Sequence, residues 1–210
     1  MTAEKISFSG IVLSVQPRIR LLRSFDEVSH QYSGYTLGIH GTLGTEERDF
    51  TVGVGKAAHA KLQFRVGDKV SGEGKPVANP GMETADLYKV SKLKILERGQ
   101  DAPIAPPWHS LAPALEIYRE RGHRRLDAKT YQAKCLTCVW GCLMPVEMVI
   151  EQWKQDNVKY RREAFCYGPT QCKLYAAGPT RKVPGRNGMS YEEENWVDEQ
   201  NVSHRRGEEH

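Results

Sequence analysis

With 210 residues and a mass of 23.7 kDa, the chain has the length of one large domain or two small ones, and 39% hydrophobic against 27% charged residues excludes a wholly disordered polymer. Its longest apolar stretch, residues 138–150, includes Pro145 and Glu147 and falls short of the ~18 residues a membrane helix needs; the start lacks the basic and apolar blocks of a secretory signal, so a cytoplasmic protein with no membrane partner is expected. The net charge of +4 is uneven: residues 1–99 carry 14 basic and 11 acidic side chains, residues 100–190 carry 14 and 8, and residues 191–210 carry 2 and 7, a balance compatible with a polyanionic partner.

Residues 6–97 read as five strands and one helix. Residues 8–23 form a long first strand, with Gly10 where it can bend and Pro17 where it can meet an edge or bulge. In residues 35–43, Tyr35, Leu37, Ile39 and Leu43 face one side and Thr36, Gly38, His40 and Thr42 the other, the pattern of a half-buried strand. Phe50, Val52 and Val54 continue that pattern in a third strand; residues 56–64 suit a helix, a turn at 64–68 leads into a fourth strand, and residues 86–96 supply a fifth.

Residues 99–109 hold Pro103, Pro106 and Pro107 and read as a linker. Beyond it, residues 110–182 form a cysteine-rich module. Ser110 can cap a helix that stops at Gly122, and Asp127 can cap a second, short one. Residues 144–155 place Val146, Val149, Ile150 and Trp153 on one helical stripe, with Pro145 in the first turn. Residues 183–210 are polar, include the acidic run 192–194 and read as an extended, partly disordered tail.

All five cysteines, Cys135, Cys138, Cys142, Cys166 and Cys172, fall within 38 residues. An odd count without a secretory signal argues against a disulfide framework. The spacing C-x2-C-x3-C, then C-x5-C with Gly-Pro inside it, gives two close pairs separated by an element, which suits a tetrahedral ion with sulfurs at about 2.3 Å. The preferred site is zinc on Cys135, Cys138, Cys166 and Cys172, with Cys142 a spare thiol or substitute ligand; an iron–sulfur cluster is the alternative. Such a closed site would serve folding, and its loss is expected to unfold the chain beyond about residue 110 while leaving the β module intact. No H-E-x-x-H, G-x-S-x-G or P-loop pattern occurs, so no catalytic residue is assigned.

The order of three strands, a short helix and two strands, with a long curved first strand and the V-G-D turn into the fourth, resembles the OB-fold, the five-stranded Greek-key barrel that commonly binds oligonucleotides. The fold class expected is therefore α+β: an OB-like barrel over residues 1–98, followed by the helical, irregular cysteine module. The resemblance implies a ligand lying across strands two and three, between residues 24–34 and 77–85. The outward face there carries small residues and His40, so base stacking falls to Tyr32 and Tyr88. Arg18, Arg20 and Arg23 on the first strand are candidates to hold phosphates. Arg161 and Arg162, with neighbouring aromatics, offer the same chemistry from the cysteine module. The reading is a nucleic-acid-binding protein, DNA or RNA, with a protein-interaction module or an iron–sulfur redox protein as alternatives.

Overall fold

The structure, a computed structural model, describes residues 4–24, 28–100, 105–150, 158–193 and 195–205. Five strands close into a ring. Strand β1 (Ile6–Arg23) pairs with β2 (Val28–Leu43) along its length, β2 with β3 (Glu46–Val54), and β3 with β5 (Leu87–Glu97). Strand β5 pairs with β4 (Lys69–Pro76), and β4 returns to β1. Helix α1 (Lys56–Leu62) lies between β3 and β4 in sequence, so the elements expected over residues 6–97 are all present in that order.

The hydrophobic alternation of β1 changes phase partway. Phe8 and Val12 face the core, but Val15, Ile19 and Leu21 do so beyond them, because the register against β2 shifts by one residue between Val12 and Ser14. A bulge flips every later side chain to the other face, which leaves Leu13 exposed and turns Arg23 inward at 2% exposure.

The same strand carries the second half of the molecule. Strand β7 (Gly141–Val149) runs parallel to β1, with Leu21 opposite Val146, and β8 (Val158–Cys166) and the short β6 (Arg124–Arg125) complete an eight-stranded sheet. The helix expected over residues 144–155 is therefore a strand as far as residue 149, and residues 151–155 lie outside those described. Cys142, Met144, Val146 and Met148 point into the core at strand spacing, and Pro145 stands just outside the stretch paired with β1. Helix α2 (Leu115–Arg121) stops at Gly122, whose φ of 66° is left-handed. Asp127 caps α3 (Ala128–Thr130) by accepting from the Thr130 amide at 2.8 Å.

One core spans both halves: Val15, Ile19 and Leu37 of the ring share it with Tyr118, Val139, Met144 and Phe165. The described part of the expected linker is docked, with the Gly99 amide donating to Asp68 Oδ1 at 3.0 Å and the Val139 amide to the Trp108 carbonyl at 2.9 Å; residues 101–104 lie outside those described. The expected tail is likewise structured across its described residues, as strands β9 (Arg181–Pro184) and β10 (Ser190–Glu193) and helix α4 (Asn195–Val202). Ion pairs hold it down: Arg23 to Glu193 at 3.0 Å and Arg125 to Asp198 at 2.8 Å. No helix among the described residues is long and apolar enough to cross a membrane.

His30 and His123 meet with ring centroids 4.9 Å apart near Arg23 and Arg181. Burial foremost, and then the Arg23 charge, lower His30 to about 4; burial, then His30, Arg181 and Arg23, hold His123 well below the ordinary 6.5. The unfolded chain thus binds more protons than the folded one as pH falls below 6.5. Stability should be level above that point and drop below it, by about 1.4 kcal/mol per pH unit for each histidine that stays neutral. Urea titrations between pH 7 and pH 5 check this, and a His123→Phe variant should show a shallower slope than the unaltered chain. Equal slopes would contradict it.

Candidate metal centre and ligand cleft

The segment after α3 continues as a wider turn through Tyr131–Cys135, and two reverse turns follow, the Cys138 amide donating to the Cys135 carbonyl and the Gly141 amide to that of Cys138, each at 3.1 Å. Only glycine fits at 141, where a Cβ would stand 2.6 Å from the Cys135 carbonyl oxygen. Opposite, Cys166 ends β8, and a turn from Pro169 brings up Cys172. Cys135, Cys138, Cys166 and Cys172 are free thiols lining one cavity of about 10 Å³, walled by Trp108 and Trp140, room for about one small particle.

Burial, and after it the neighbouring thiols, raise Cys135 to about 12; burial raises Cys138 to about 11 and also raises Cys166. Opposing this, backbone amides of Trp140, Trp108 and Gly141 favour the Cys138 thiolate, and the Gly168 amide donates to Cys166 Sγ at 3.4 Å. Among the described residues, no three histidine, cysteine or acidic side chains are gathered tightly enough to hold an ion as they stand. Protonated thiols have no mutual attraction to close them to ligand separations, whereas the backbone turns already aim all four at one space. Four thiols with amide hydrogens beside them are the donor type that soft cations take.

Three arginines brace the second turn. Arg121 donates to the Tyr167 carbonyl, Arg124 to those of Pro169 and Thr170, and Arg205 to those of Tyr167 and Gly168, at 2.8–3.2 Å. Their charges suit a centre of four thiolates, whose net charge with a divalent ion is negative. Cys142 is separate: it is fully buried in the main core, its thiol donates to the Pro17 carbonyl at 3.3 Å, and burial pushes its pKa up. Strand alternation turns it away from the other four, so it is not a substitute ligand.

Gln16 joins the ring to this centre. Its amide nitrogen stands 3.0 Å from the carbonyls of Cys135, Leu136 and Cys138, and its oxygen accepts from Tyr131 Oη at 2.7 Å. Sequence reasoning missed it because a lone glutamine in a strand carries no signal.

Next to Gln16 opens a cleft of about 510 Å³. One wall is the outward face of β1–β3, with Ser14, Thr36 and Thr51; the other comes from the cysteine-bearing half, with Leu136, Leu143 and Arg162. Asp86 accepts from the Thr51 amide and hydroxyl at 2.7 and 2.9 Å. Thr36 Oγ1 is buried there with no hydrogen-bond partner among the described residues.

The residues expected to touch nucleic acid are dispersed. Arg162 lines the cleft, its guanidinium donating to the Pro80 and Glu83 carbonyls. Arg18, bound to Glu83 at 3.1 Å, and Tyr88 line a second groove. Arg20 pairs with Glu147, Arg161 with Glu163, and Arg23 is buried between Glu163 and Glu193. Arg23 therefore cannot hold a phosphate, because the bulge in β1 turns it inward, and Arg20 and Arg161 are neutralised by acids of β7 and β8. Tyr32 is half-buried beside the Arg119 guanidinium at 4.8 Å, and exposed His40 is bonded to Asp49 at 2.6 Å away from the cleft. Comparison with protein-family models, curated proteins and solved structures returns no match to this chain.

Proposed function

We propose that this chain is a single-strand nucleic-acid-binding protein, an OB-fold stiffened by a structural zinc ion. The order of strands around the ring, with a helix between the third and fourth, supports the fold reading. Cys135, Cys138, Cys166 and Cys172 would hold the zinc, which would cross-link two turns and the sheet rather than take part in turnover. Free, buried thiols suit a reducing compartment such as the cytoplasm.

The observation that carries the nucleic-acid reading is the cleft. It lies on the face where OB-folds take their ligands, both halves of the chain wall it, Arg162 supplies positive charge, and Thr36 offers an unpartnered hydroxyl. Anisotropy titration of a labelled oligothymidylate tests it. Affinity should fall with salt, with a log–log slope of roughly −0.7 per phosphate contacted. Thr36→Trp, which fills the cleft from β2, should weaken binding by about tenfold or more, about 1.4 kcal/mol, with zinc content unchanged. If neither single nor double strands bind below about 100 μM at low salt, weaker than ordinary nonspecific association, a protein ligand takes the place of the nucleic acid.

A further inference from the structure

A second groove, of about 570 Å³, lies between the end of β3, helix α1 and the first half of β5. Four of its lining residues are basic, Arg18, Lys61, Lys89 and Lys92, and none is acidic. Lys92 is bonded to Glu73 at 2.8 Å outside the groove, while Lys61 and Lys89 have no acidic partner among the described residues. The Lys89 ammonium stands 5.3 Å from the centre of the Tyr88 ring.

The backbone is bent to achieve this. Lys89 and Lys92 are three residues apart and on a regular strand would face opposite sides. Here each has left-handed backbone, φ 51° and 53°, and the register against β4 shifts at both places, between Glu73 and Lys75 and between Ser71 and Glu73. Both residues consequently line the same groove, Lys89 with no acidic partner among the described residues and Lys92 with its ammonium drawn off to Glu73. Left-handed conformation is unfavourable for a side chain of this kind, and strain kept at two charged positions lining one concavity points to a ligand.

The groove continues the cleft. Thr51 and Gly53 are successive outward positions on β3, the first lining the cleft and the second the groove. Between them crosses the Arg18 guanidinium, so close over Gly53 that a Cβ there would meet Nη1 at 2.7 Å, and it is tied to Glu83.

Resting on the reading of the cleft given above, we propose that Lys61 and Lys89 form a phosphodiester track that takes the backbone of a nucleic-acid strand where it leaves the cleft past Arg18. Ammonium groups act here as point charges, which suits a run of phosphates without base preference, and Tyr88 offers a ring beside them. The test compares long oligothymidylates, able to span cleft and groove, with short ones that fill the cleft alone. In a variant with Lys61→Gln and Lys89→Gln together, both exposed positions, the long strand should lose affinity and its salt slope should flatten by roughly 1.4, about 0.7 for each lost contact; the short strand should bind unchanged. A long strand that binds the variant and the unaltered chain alike, with equal slopes, overturns the track and leaves the cleft standing. An unaltered chain that binds neither strand overturns the cleft reading and the track with it. Lys89→Gly separates the lysine's charge from its conformation: relaxing the left-handed backbone should raise the melting temperature while weakening the long strand's binding, and stabilisation without loss of affinity would count against the track.

Discussion

Replacing Cys138 or Cys166 by serine should abolish zinc binding and with it the folded state of the whole chain. Structural zinc sites contribute an apparent 10–16 kcal/mol at neutral pH, about as much as the entire stability of an ordinary domain, roughly 5–15 kcal/mol. The damage should not stop at residue 110, as the spacing of the elements in sequence suggests, because Tyr118, Val139 and Tyr167 share the core of Val15 and Leu37, and Gln16 binds the Cys135 and Cys138 carbonyls from the ring itself. Elemental analysis should give one zinc per unaltered chain, and urea denaturation should show one transition that moves for the ring and the cysteine half together. Cys142→Ser is the control: it should keep the metal and lose on the order of 1 kcal/mol for a buried thiol with one weak hydrogen bond. Iron with acid-labile sulfide in the unaltered protein would overturn the zinc assignment, and metal loss on Cys142→Ser would overturn the choice of ligands.

Glu163→Ala should be the most damaging substitution outside the cysteines. The Glu163 side chain is 4% exposed and is met by Arg23, by Arg181 at 2.6 Å, and by Arg161. Removing it leaves three guanidinium groups facing one another with Glu193 alone among the described residues to offset them, and breaking a buried pair from one side costs about 3–5 kcal/mol. Arg20→Ala removes an arginine whose side chain is 27% exposed beside Glu147, so its loss should be about 1 kcal/mol or less. Chemical denaturation of the two variants reads the contrast directly, and similar losses would show that the buried cluster contributes no more than a surface pair. Because Glu163 also anchors Arg181 at the start of β9, limited proteolysis of this variant should cut first in the C-terminal segment.

Much of the ring was legible because alternation in β2 and β3, with Tyr35, Leu37 and Ile39 inward, leaves a single way to bury one face. That Cys135, Cys138, Cys166 and Cys172 come to one cavity was legible because two close pairs separated by an element can be folded onto one point. Residues 144–149 were not: Val146 and Val149 fit a helical stripe as well as the start of a strand, and the choice is made by the free edge of β1 at Leu21–Arg23, which no local pattern announces. The arginines misled for a related reason. A basic residue in sequence carries no mark of its acidic partner, and the partner of Arg23 lies 170 residues away in Glu193. Only the one-residue bulge near Leu13 decides whether Arg23 meets water or Glu163, and a bulge leaves no reliable trace in composition.

The sharing of β1 also governs how this chain must be made. Strand β1 leaves the ribosome well before β7, yet one of its edges at Leu21–Arg23 waits for β7, which begins at Gly141. At roughly 5–20 residues per second, the ring spends on the order of ten seconds with an unpaired strand edge and a buried arginine that lacks its counter-charge. An exposed edge of that kind templates pairing with other chains. Synthesis is therefore the period in which this protein most needs a chaperone, and a gene cut at the linker would make that transient state permanent.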